Sequence, residues 1–326
     1  MNLINKGDFL EAYTKVKQRG VKYFFKKLNF NSKKRTQSTF NPLGADGSNW
    51  WIIPEVRQRE NEKLTGDSQK TFDIYLSEIY FQEKTELKLL SVACGVGNRE
   101  IKLAESKHFC EVLGIDLSRE SIQEANREVG EKGLSNIQFE QADFYSFDLK
   151  EEYYDVIVFY SALHHFKNIE SVAARISKAL KNDGIVVLCE YVGKNRLQFS
   201  KDQVAEMNKL LNIIPKQYKT RYLTGYIKKA VYAPGLLRMI VSDPSEAVES
   251  ESIIPVIHSR FEVLEEKNIG GDLLMMVLKD IAHHFISEDA KAKSVLERLF
   301  EEEDKYLNGS ANPDFIFGVY RKRVKH

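Results

Sequence analysis

Short apolar strands alternate with helical segments between residues 87 and 192, and this alternation limits the fold more than any other feature. Strands this uniformly apolar cannot face water on either side, so they indicate a parallel sheet that is covered on both faces. Because crossovers between parallel strands are right-handed, we expect an α/β, doubly wound sheet. The five predicted strands are residues 87–93, 111–116, 137–142, 155–161 and 184–192.

Helices are predicted between these strands from their start and stop signals. Ser118 is a typical N-cap, and it precedes a helical pattern over residues 118–132. A second pattern over residues 169–180 is followed by Asn182 and Gly184, which commonly end helices. The connections are therefore long enough to cross the sheet.

The later part of the chain interrupts the alternation and then resumes it. Residues 194–259 contain a predicted helix over 201–213, an aromatic stretch and two turns, so they indicate an inserted helical lid. Strands are predicted at 260–269 and 315–323, on either side of a helical segment over 273–306. The sheet should then have seven strands, most of them parallel.

The composition is that of an ordinary globular protein. Of 326 residues, 43% are apolar and 29% are charged, with Lys+Arg 48 against Asp+Glu 47. No apolar run approaches the roughly 18 residues that span a bilayer, and no secretory leader is visible. Cys94, Cys110 and Cys189 form no paired motif, so neither a disulfide framework nor a zinc cluster is expected. These features predict a cytoplasmic protein with reduced thiols.

The N-terminus is a basic arm. Residues 1–36 hold ten Lys or Arg against only Asp8 and Glu11. Val21, Phe24, Phe25 and Leu28 have the spacing of one apolar helical face. Such a helix suits an anionic membrane or an acidic substrate, and it suits equally a helix packed on its own domain.

Polar and glycine residues follow three successive strands of the predicted sheet. Gly95 and Gly97 allow a tight turn to approach a ligand closely. Asp116 ends the next strand, where a carboxylate can accept both hydroxyls of a ribose. Asp143 and Phe144 end the third strand, where they can receive an adenine amine and cover the ring. Because ligands of open α/β sheets bind at the carboxyl ends of strands, we expect a nucleoside site there.

This region resembles the core of class I S-adenosylmethionine-dependent methyltransferases, which have a Rossmann-like fold. The resemblance rests on residues 93–97, Asp116, Asp143, residues 155–165 and residues 180–184. It implies S-adenosyl-L-methionine as the cofactor and methyl transfer as the activity. The cofactor-binding residues that it implies are Ala93, Cys94, Gly95, Gly97, Asp116, Leu117, Asp143, Phe144, Tyr160 and Arg57.

Three residues are candidates for a catalytic base. His164 and His165 follow the fourth strand, next to the place where the methyl group should lie, and a histidine titrates near neutral pH. Glu190 ends the fifth strand and is a base or a hydrogen-bond acceptor. Either histidine alone could instead serve only to order the loop. His283 and His284 are interpreted as structural, and no metal site is expected.

The stretch after the fifth strand resembles that of bacterial methyltransferases encoded with glycan-assembly enzymes, although Lys194 replaces a proline. This resemblance implies Tyr191, Asn195, Arg196 and Gln198 as substrate-binding residues. The residues around Trp50 and Trp51 also resemble the N-terminal region of that group, and they are expected either to close over the cofactor or to bind the N-terminal helices to the core.

The sequence therefore predicts an enzyme that methylates a hydroxyl of a small polar or carbohydrate-like acceptor, a natural product or a glycan. The alternatives are an N-methyltransferase acting on a small molecule or a nucleic acid, a nicotinamide-dependent oxidoreductase, and a non-catalytic nucleoside-binding module that serves as a partner subunit. The near-neutral total charge argues against a nucleic-acid partner, and the basic arm keeps peripheral membrane contact open.

Four segments are expected along the chain. Residues 1–85 form a basic helical extension that covers the cofactor, and residues 86–193 form the cofactor-binding core. Residues 194–259 form the lid, and residues 260–326 complete the core.

Overall fold

The computed structural model describes residues 3–19, 49–242, 244–309 and 312–323. Seven strands lie in one sheet: β1 Leu87–Val92, β2 Phe109–Asp116, β3 Ile137–Gln141, β4 Tyr154–Tyr160, β5 Leu180–Tyr191, β6 Phe261–Asn268 and β7 Phe315–Lys322. Their order is β3-β2-β1-β4-β5-β7-β6. Neighbours among β1 to β5 pair in parallel, and β7 runs antiparallel to both β5 and β6. The predicted seven-stranded, mostly parallel α/β sheet is confirmed.

Eleven α-helices occur among the described residues. They are α1 Lys6–Arg19, α2 Pro54–Thr65, α3 Phe72–Ile79, α4 Asn98–Glu105, α5 Arg119–Lys132, α6 Ile169–Ala179, α7 Lys201–Ile213, α8 Leu236–Ser242, α9 Ser250–Arg260, α10 Leu274–Leu278 and α11 Ala290–Asn308. Short 3-10 turns cover Trp50–Ile52, Leu163–His165, Asn195–Leu197, Lys216–Lys219 and Ala282–Phe285. None of the helices in these ranges is both long and apolar enough to cross a bilayer.

Two predicted helix boundaries differ from the structure. Helix α6 ends at Ala179 and β5 begins at once, so Asn182 and Gly184 lie inside a strand rather than in a helix stop. The segment expected to be helical over 273–306 is broken, because Asp280 adopts a left-handed backbone with φ of 67°. The predicted N-cap of α5 is present, since the Ser118 side chain accepts a hydrogen bond from the Ser121 N–H.

The sheet is covered on both faces, because alternate residues of a strand point to opposite sides. On one face Leu89, Val156 and Val187 pack with helices α3, α4 and α5. On the other face Leu90, Ile157 and Leu188 pack with helices α6 and α9. The sheet is doubly wound, as its strand pattern predicted.

A third apolar core joins segments that are far apart in the sequence. It contains Trp50 and Ile53 before α2, Met207 and Leu211 of α7, and residues of α10 and α11. The aromatic N-terminal segment, the predicted lid and the C-terminal helices therefore pack together above the carboxyl end of the sheet. The four-segment division of the chain stays a prediction, and the amphipathic helix predicted around Phe24 lies outside the described residues.

Substitution of Gly97 tests the packing that shapes the turn after β1. Gly97 has φ of 74°, and a Cβ there would lie 2.2 Å from Cζ of Phe139. We expect Gly97→Ala to lower the free energy of unfolding by roughly 2–5 kcal/mol, from left-handed strain and overpacking together. Urea unfolding measures this loss.

Gly130→Ala is the matched control. Gly130 lies in α5, and a Cβ there meets nothing within 4 Å. This substitution should raise stability slightly, by about 0.5–1 kcal/mol. Equal stability of the Gly97→Ala variant and the parent protein would contradict the packing described here.

Candidate active site

The turn after β1 opens a ligand-sized hollow at the carboxyl edge of the sheet. Gly95 has φ of 59°, and a Cβ built on it meets nothing within 4 Å, so its backbone faces open space. The Gly95 N–H donates to Oδ2 of Asp116 at 3.0 Å, which ties the turn to the end of β2. This contact brings together the first two groups that the sequence placed in the nucleoside site.

A cavity lies beside this turn, and its volume of about 420 Å³ is within the usual range of small-molecule sites. We call it the turn cavity. Eight of the predicted cofactor-binding residues line it: Ala93, Cys94, Gly95, Asp116, Leu117, Asp143, Phe144 and Tyr160. Other residues that line the turn cavity were not predicted from the sequence, among them Ser121, Tyr145 and Phe166. These follow the same strand ends, so their positions could have been inferred from the strand assignments.

Two predicted cofactor residues lie elsewhere. Gly97 is buried beneath Phe139 and shapes the turn from below. The Arg57 guanidinium donates to the Trp51 carbonyl at 2.5 Å and does not line the turn cavity. The expectation that Arg57 reaches the cofactor is therefore not met in this structure, because the side chain bonds back onto its own segment.

Backbone N–H groups orient the two aspartates. In Asp116, Oδ2 accepts from Gly95 and Oδ1 accepts from the Ser118 N–H at 2.7 Å. Asp143 Oδ1 accepts from the Tyr145 N–H at 3.1 Å. These backbone bonds fix the orientation of both side chains, and a carboxylate oxygen has two acceptor positions, so an oriented carboxylate at a strand end is suited to receive hydroxyl or amine donors.

A buried glutamate from the N-terminal segment supports Tyr160. The Tyr160 hydroxyl donates to Glu60 Oε1 at 3.0 Å, and the Arg99 guanidinium lies 3.3 Å from the centre of the tyrosine ring. Burial raises the pKa of Glu60 above its usual value, and the Tyr160 hydrogen bond opposes this shift. Glu60 lies one hundred residues from Tyr160 in the sequence, and no local pattern indicated the contact.

The two adjacent histidines face different cavities. His165 lines the turn cavity, whereas His164 lines a second cavity of about 490 Å³. Ser161 lines both, so the short turn after β4 is the wall between them. Ser161 has a left-handed backbone with φ of 49°, a strained conformation of the kind found at functional sites.

Glu190 fixes this wall. One of its oxygens, Oε1, accepts from the Ala162 and Leu163 N–H groups, the second at 2.7 Å. The other, Oε2, accepts from the His164 N–H at 3.3 Å and lies 2.6 Å from His164 Nδ1. Glu190 is only 1% exposed. Glu190 was predicted to be a base or a hydrogen-bond acceptor. In the structure the carboxylate is buried and accepts hydrogen bonds from protein groups, so it positions His164.

A third titratable group approaches from the lid. Glu246 Oε1 lies 3.9 Å from His164 Nε2, and Glu246 Oε2 lies 3.9 Å from His165 Nδ1. Each of these three side chains offers one metal-ligating atom, and these atoms lie within 4.8 Å of one another. Among the described residues, this is the one such group that could hold a metal ion. The sequence analysis did not predict a metal site here, because Glu246 is 82 residues from His164 in the sequence.

The second cavity is rich in aromatic side chains, and we call it the aromatic cavity. Trp50, Trp51, Tyr191 and Phe315 contribute rings, with centroids 4.6 Å apart for the tryptophans and 5.2 Å apart for Tyr191 and Phe315. Lys279 adds a positive charge to its lining. The N-terminal aromatic segment therefore covers the space beside the turn cavity rather than the turn cavity itself.

Of the four predicted substrate residues, Tyr191 alone is among the residues lining the aromatic cavity. Asn195 Oδ1 instead accepts from the Glu251 N–H at 3.0 Å, at the start of α9. Arg196 donates to the carbonyls of Pro244 and Glu246. Gln198 donates to the Pro234 carbonyl at 2.7 Å. These three side chains hold the lid loops, and their expected substrate contacts stay a prediction.

The other histidine pair is structural. His284 Nε2 lies 2.9 Å from the Thr220 carbonyl oxygen, and the His283 ring packs 5.2 Å from Tyr222. Both lie in the 3-10 turn before α11, away from the two cavities.

Comparison with known proteins decides between the nucleoside-binding alternatives. Residues 83–234 match the family model described as a methyltransferase domain. That match covers just under half of the chain, and it indicates a class I S-adenosylmethionine-dependent methyltransferase domain. The cofactor of such a domain is S-adenosyl-L-methionine. The turn cavity fits that cofactor, since it offers an unobstructed glycine backbone at Gly95 and the two oriented carboxylates of Asp116 and Asp143. The nicotinamide oxidoreductase alternative is set aside.

Relatives share this domain over part of their length. The uncharacterized methyltransferase YcgJ of Bacillus subtilis is 28% identical over 108 residues, which are 33% of this chain and 42% of that protein. Phosphoethanolamine N-methyltransferase 1 of Zea mays is 34% identical over 135 residues, 40% of this chain and 26% of that protein. The chain thus spans less than half of either relative.

Among solved structures, the phosphoethanolamine N-methyltransferase 2 of Haemonchus contortus in complex with S-adenosyl-L-methionine aligns with a TM-score of 0.49 and 16% identity. The alignment covers 77% of this chain and 52% of that one. The PH0226 protein of Pyrococcus horikoshii aligns with a TM-score of 0.45 and 15% identity, over 90% and 100% of the two chains.

Replacement of Asp116 tests the cofactor site. We expect Asp116→Ala to weaken S-adenosylmethionine binding roughly 10- to 150-fold, because hydrogen bonds to a charged group contribute about 1.5–3 kcal/mol. Isothermal titration calorimetry measures the change. Asp148→Ala is the control, since Asp148 is exposed in the loop between β3 and β4 and does not line the turn cavity. Unchanged affinity in the Asp116→Ala protein would contradict the site.

Proposed function

We propose that the protein transfers the methyl group of S-adenosylmethionine to a hydroxyl of a small polar or carbohydrate-like acceptor, a natural product or a glycan, held in the aromatic cavity. The observation that carries this proposal is the His164–Glu190 pair in the wall between the two cavities, with Nδ1 of the imidazole 2.6 Å from the buried carboxylate. Hydroxyl methylation needs a base at that position, and this pair supplies one.

The tautomer of His164 follows from the bonds of Glu190. Glu190 accepts hydrogen bonds from three backbone N–H groups, so it is a carboxylate that acts as an acceptor. Nδ1 of His164 must therefore carry the proton of the Nδ1···Oε2 hydrogen bond. Nε2 is then the basic ring nitrogen, which takes the proton in the proposed reaction. The arrangement is that of an oriented general base.

Different residues of the chain bind the cofactor and remove the proton in the proposed reaction. When bound, S-adenosylmethionine supplies a methyl group that is activated by a positively charged sulfur. The glycine turn and the two aspartates orient the bound nucleoside, while His164 removes the hydroxyl proton of the acceptor. Glu190 stabilises the imidazolium that forms, and Glu246 adds negative charge 3.9 Å from Nε2. The two cavities also align the methyl group with the acceptor hydroxyl across the wall. In favourable cases such alignment lowers the activation barrier by about 7–11 kcal/mol.

The lining of the aromatic cavity supports a carbohydrate-like acceptor. Aromatic rings such as those of Trp50 and Trp51 present flat apolar faces, against which the C–H faces of a sugar ring can pack. Glu246 and Lys279 provide polar groups that can bind hydroxyls at the cavity edge. The cytoplasmic location of the reaction stays a prediction; the three cysteines are free thiols in the structure.

Methylation of an amine is the second candidate. Four aromatic rings together with the carboxylate of Glu246 are also the surroundings that bind ammonium groups through cation–π contacts. The similarity of residues in the core to a maize phosphoethanolamine N-methyltransferase is consistent with this candidate. The two proposals differ in the atom that is methylated.

A labelled-cofactor experiment tests the proposal directly. The protein is incubated with methyl-labelled S-adenosylmethionine, EDTA, and matched panels of hydroxyl and amine acceptors. We expect label in an ether product, because the base is an imidazole and needs no metal. Label in an amine product would support the second candidate. Transfer that occurs only when EDTA is omitted would show that the histidine cluster holds a metal, and it would overturn the assignment of His164 as the base.

With the acceptor that gives product, His164→Ala should lower kcat by about 10² to 10⁴, the usual contribution of a general base. Parent turnover should fall as the pH is lowered, because a protonated imidazole cannot accept a proton, and the variant should lack that fall. Glu190→Gln should alter the same limb of the pH profile through His164. His258→Ala is the control, since His258 lines neither cavity. Parent-like kcat in the His164→Ala protein would contradict the role.

A further inference from the structure

An exposed apolar surface lies beside the aromatic cavity, and neither the methyltransferase domain nor the proposed reaction accounts for it. Ten of the fifteen strongly exposed large hydrophobic side chains of the described residues lie in three short segments, 3–13, 222–232 and 236–241. Its most prominent members include Leu3 and Phe9 of the N-terminal segment, Tyr222 and Tyr226 of the lid, and Leu237 and Ile240 of α8. We call this surface the apolar face.

The three segments form one continuous surface. The Leu237 N–H donates to the Leu3 carbonyl at 3.2 Å, and the Asn5 side chain donates to the Ala233 carbonyl at 2.7 Å. The rings of Tyr13 and Tyr226 lie 6.2 Å apart. Contiguous exposed apolar surfaces of this kind mark sites where a protein meets a partner or a membrane.

Positive charge predominates in the segments that carry the apolar face. Residues 216–241 contain six Lys or Arg and no Asp or Glu, although the whole chain has a net charge of only +1. Two of the six, Arg221 and Lys228, are buried. Residues 14–36, which continue the chain from the same face, contain nine Lys or Arg and no acid. The rest of the protein is therefore acidic, and positive charge is concentrated on the segments that carry the apolar side chains.

The acidic groups of α1 are already neutralised. Asp8 pairs with Arg238 at 2.8 Å, and Glu11 pairs with Lys279 at 3.0 Å. Lys6 and Lys229 are exposed on the same segments. A second copy of the chain placed symmetrically on this face would bring like charges together, which disfavours a dimer.

We propose that the apolar face docks the protein on an anionic lipid bilayer. Phe, Leu and Ile side chains would enter the interfacial region, and the tyrosines would place their hydroxyls at the headgroup level, as aromatic residues do at membrane surfaces. Each Lys or Arg near an anionic surface adds about 1 kcal/mol of attraction. The inference does not depend on the identity of the methyl acceptor.

Vesicle sedimentation of the full chain tests this proposal. We expect the protein to sediment with vesicles of equimolar phosphatidylcholine and phosphatidylglycerol, to bind vesicles of pure phosphatidylcholine much more weakly, and to be released by salt. The triple variant Phe9→Glu, Tyr226→Glu, Ile240→Glu should lose at least about ten-fold in partition coefficient, since it exchanges apolar contacts for repelled charges.

The matched control is Ile79→Glu, because Ile79 is 57% exposed, comparable with the 56% of Tyr226, and lies outside the apolar face. It should bind vesicles as the parent does, and circular dichroism of all variants checks that they are folded. Failure of the parent to sediment with anionic vesicles would overturn the proposal, as would equal sedimentation of the triple variant. Self-association in sedimentation velocity, abolished by the triple variant without any vesicle binding, would also overturn it and would assign the face to a dimer.

Discussion

One buried carboxylate organises the centre of this protein. Glu190 ends β5 inside the molecule, and its two oxygens receive three backbone N–H groups and the Nδ1 of His164. A buried charge is stable only when it is fully paired, so the turn after β4 must keep its shape for the fold to hold. That turn is the wall between the turn cavity and the aromatic cavity. The same interaction therefore supports the fold, separates two ligands and sets the tautomer of the proposed base.

The two cavities depend on different parts of the chain, and this explains how a common fold can carry a particular specificity. The turn cavity is made by the carboxyl ends of β1 to β4, which every open parallel sheet places at one edge. The aromatic cavity takes Trp50 and Trp51 from the N-terminal segment, Glu246 from the lid and Phe315 from β7. Changes in these added segments can alter the acceptor without disturbing the cofactor site.

The sequence identified most of the residues that line the turn cavity and few of those that line the aromatic cavity, for a physical reason. The strand positions, and residues such as Asp116 and Asp143, follow from local periodicity, because each of these residues lies at or just after the end of its own strand. Glu246 lies near His164, 82 residues away in the sequence, and Glu60 bonds to Tyr160, 100 residues away. Such contacts form only when separate segments pack together. Glu190 was found in the sequence, but its burial and its role in positioning His164 were not predictable from its place at a strand end. Asn195, Arg196 and Gln198 were predicted to bind substrate, and in the structure they bond to backbone groups of the lid; a loop position in the sequence does not distinguish these two roles.

The central claim is that the cofactor and the acceptor occupy neighbouring cavities on either side of the turn fixed by Glu190. A crystal structure of the protein with S-adenosylhomocysteine measures this directly. The account predicts the adenosine in the turn cavity, with ribose hydroxyls bonded to Asp116, the adenine next to Asp143 and the sulfur directed toward Ser161 and the aromatic cavity. Ligand density elsewhere, or a sulfur directed away from the wall that carries His164, would contradict it.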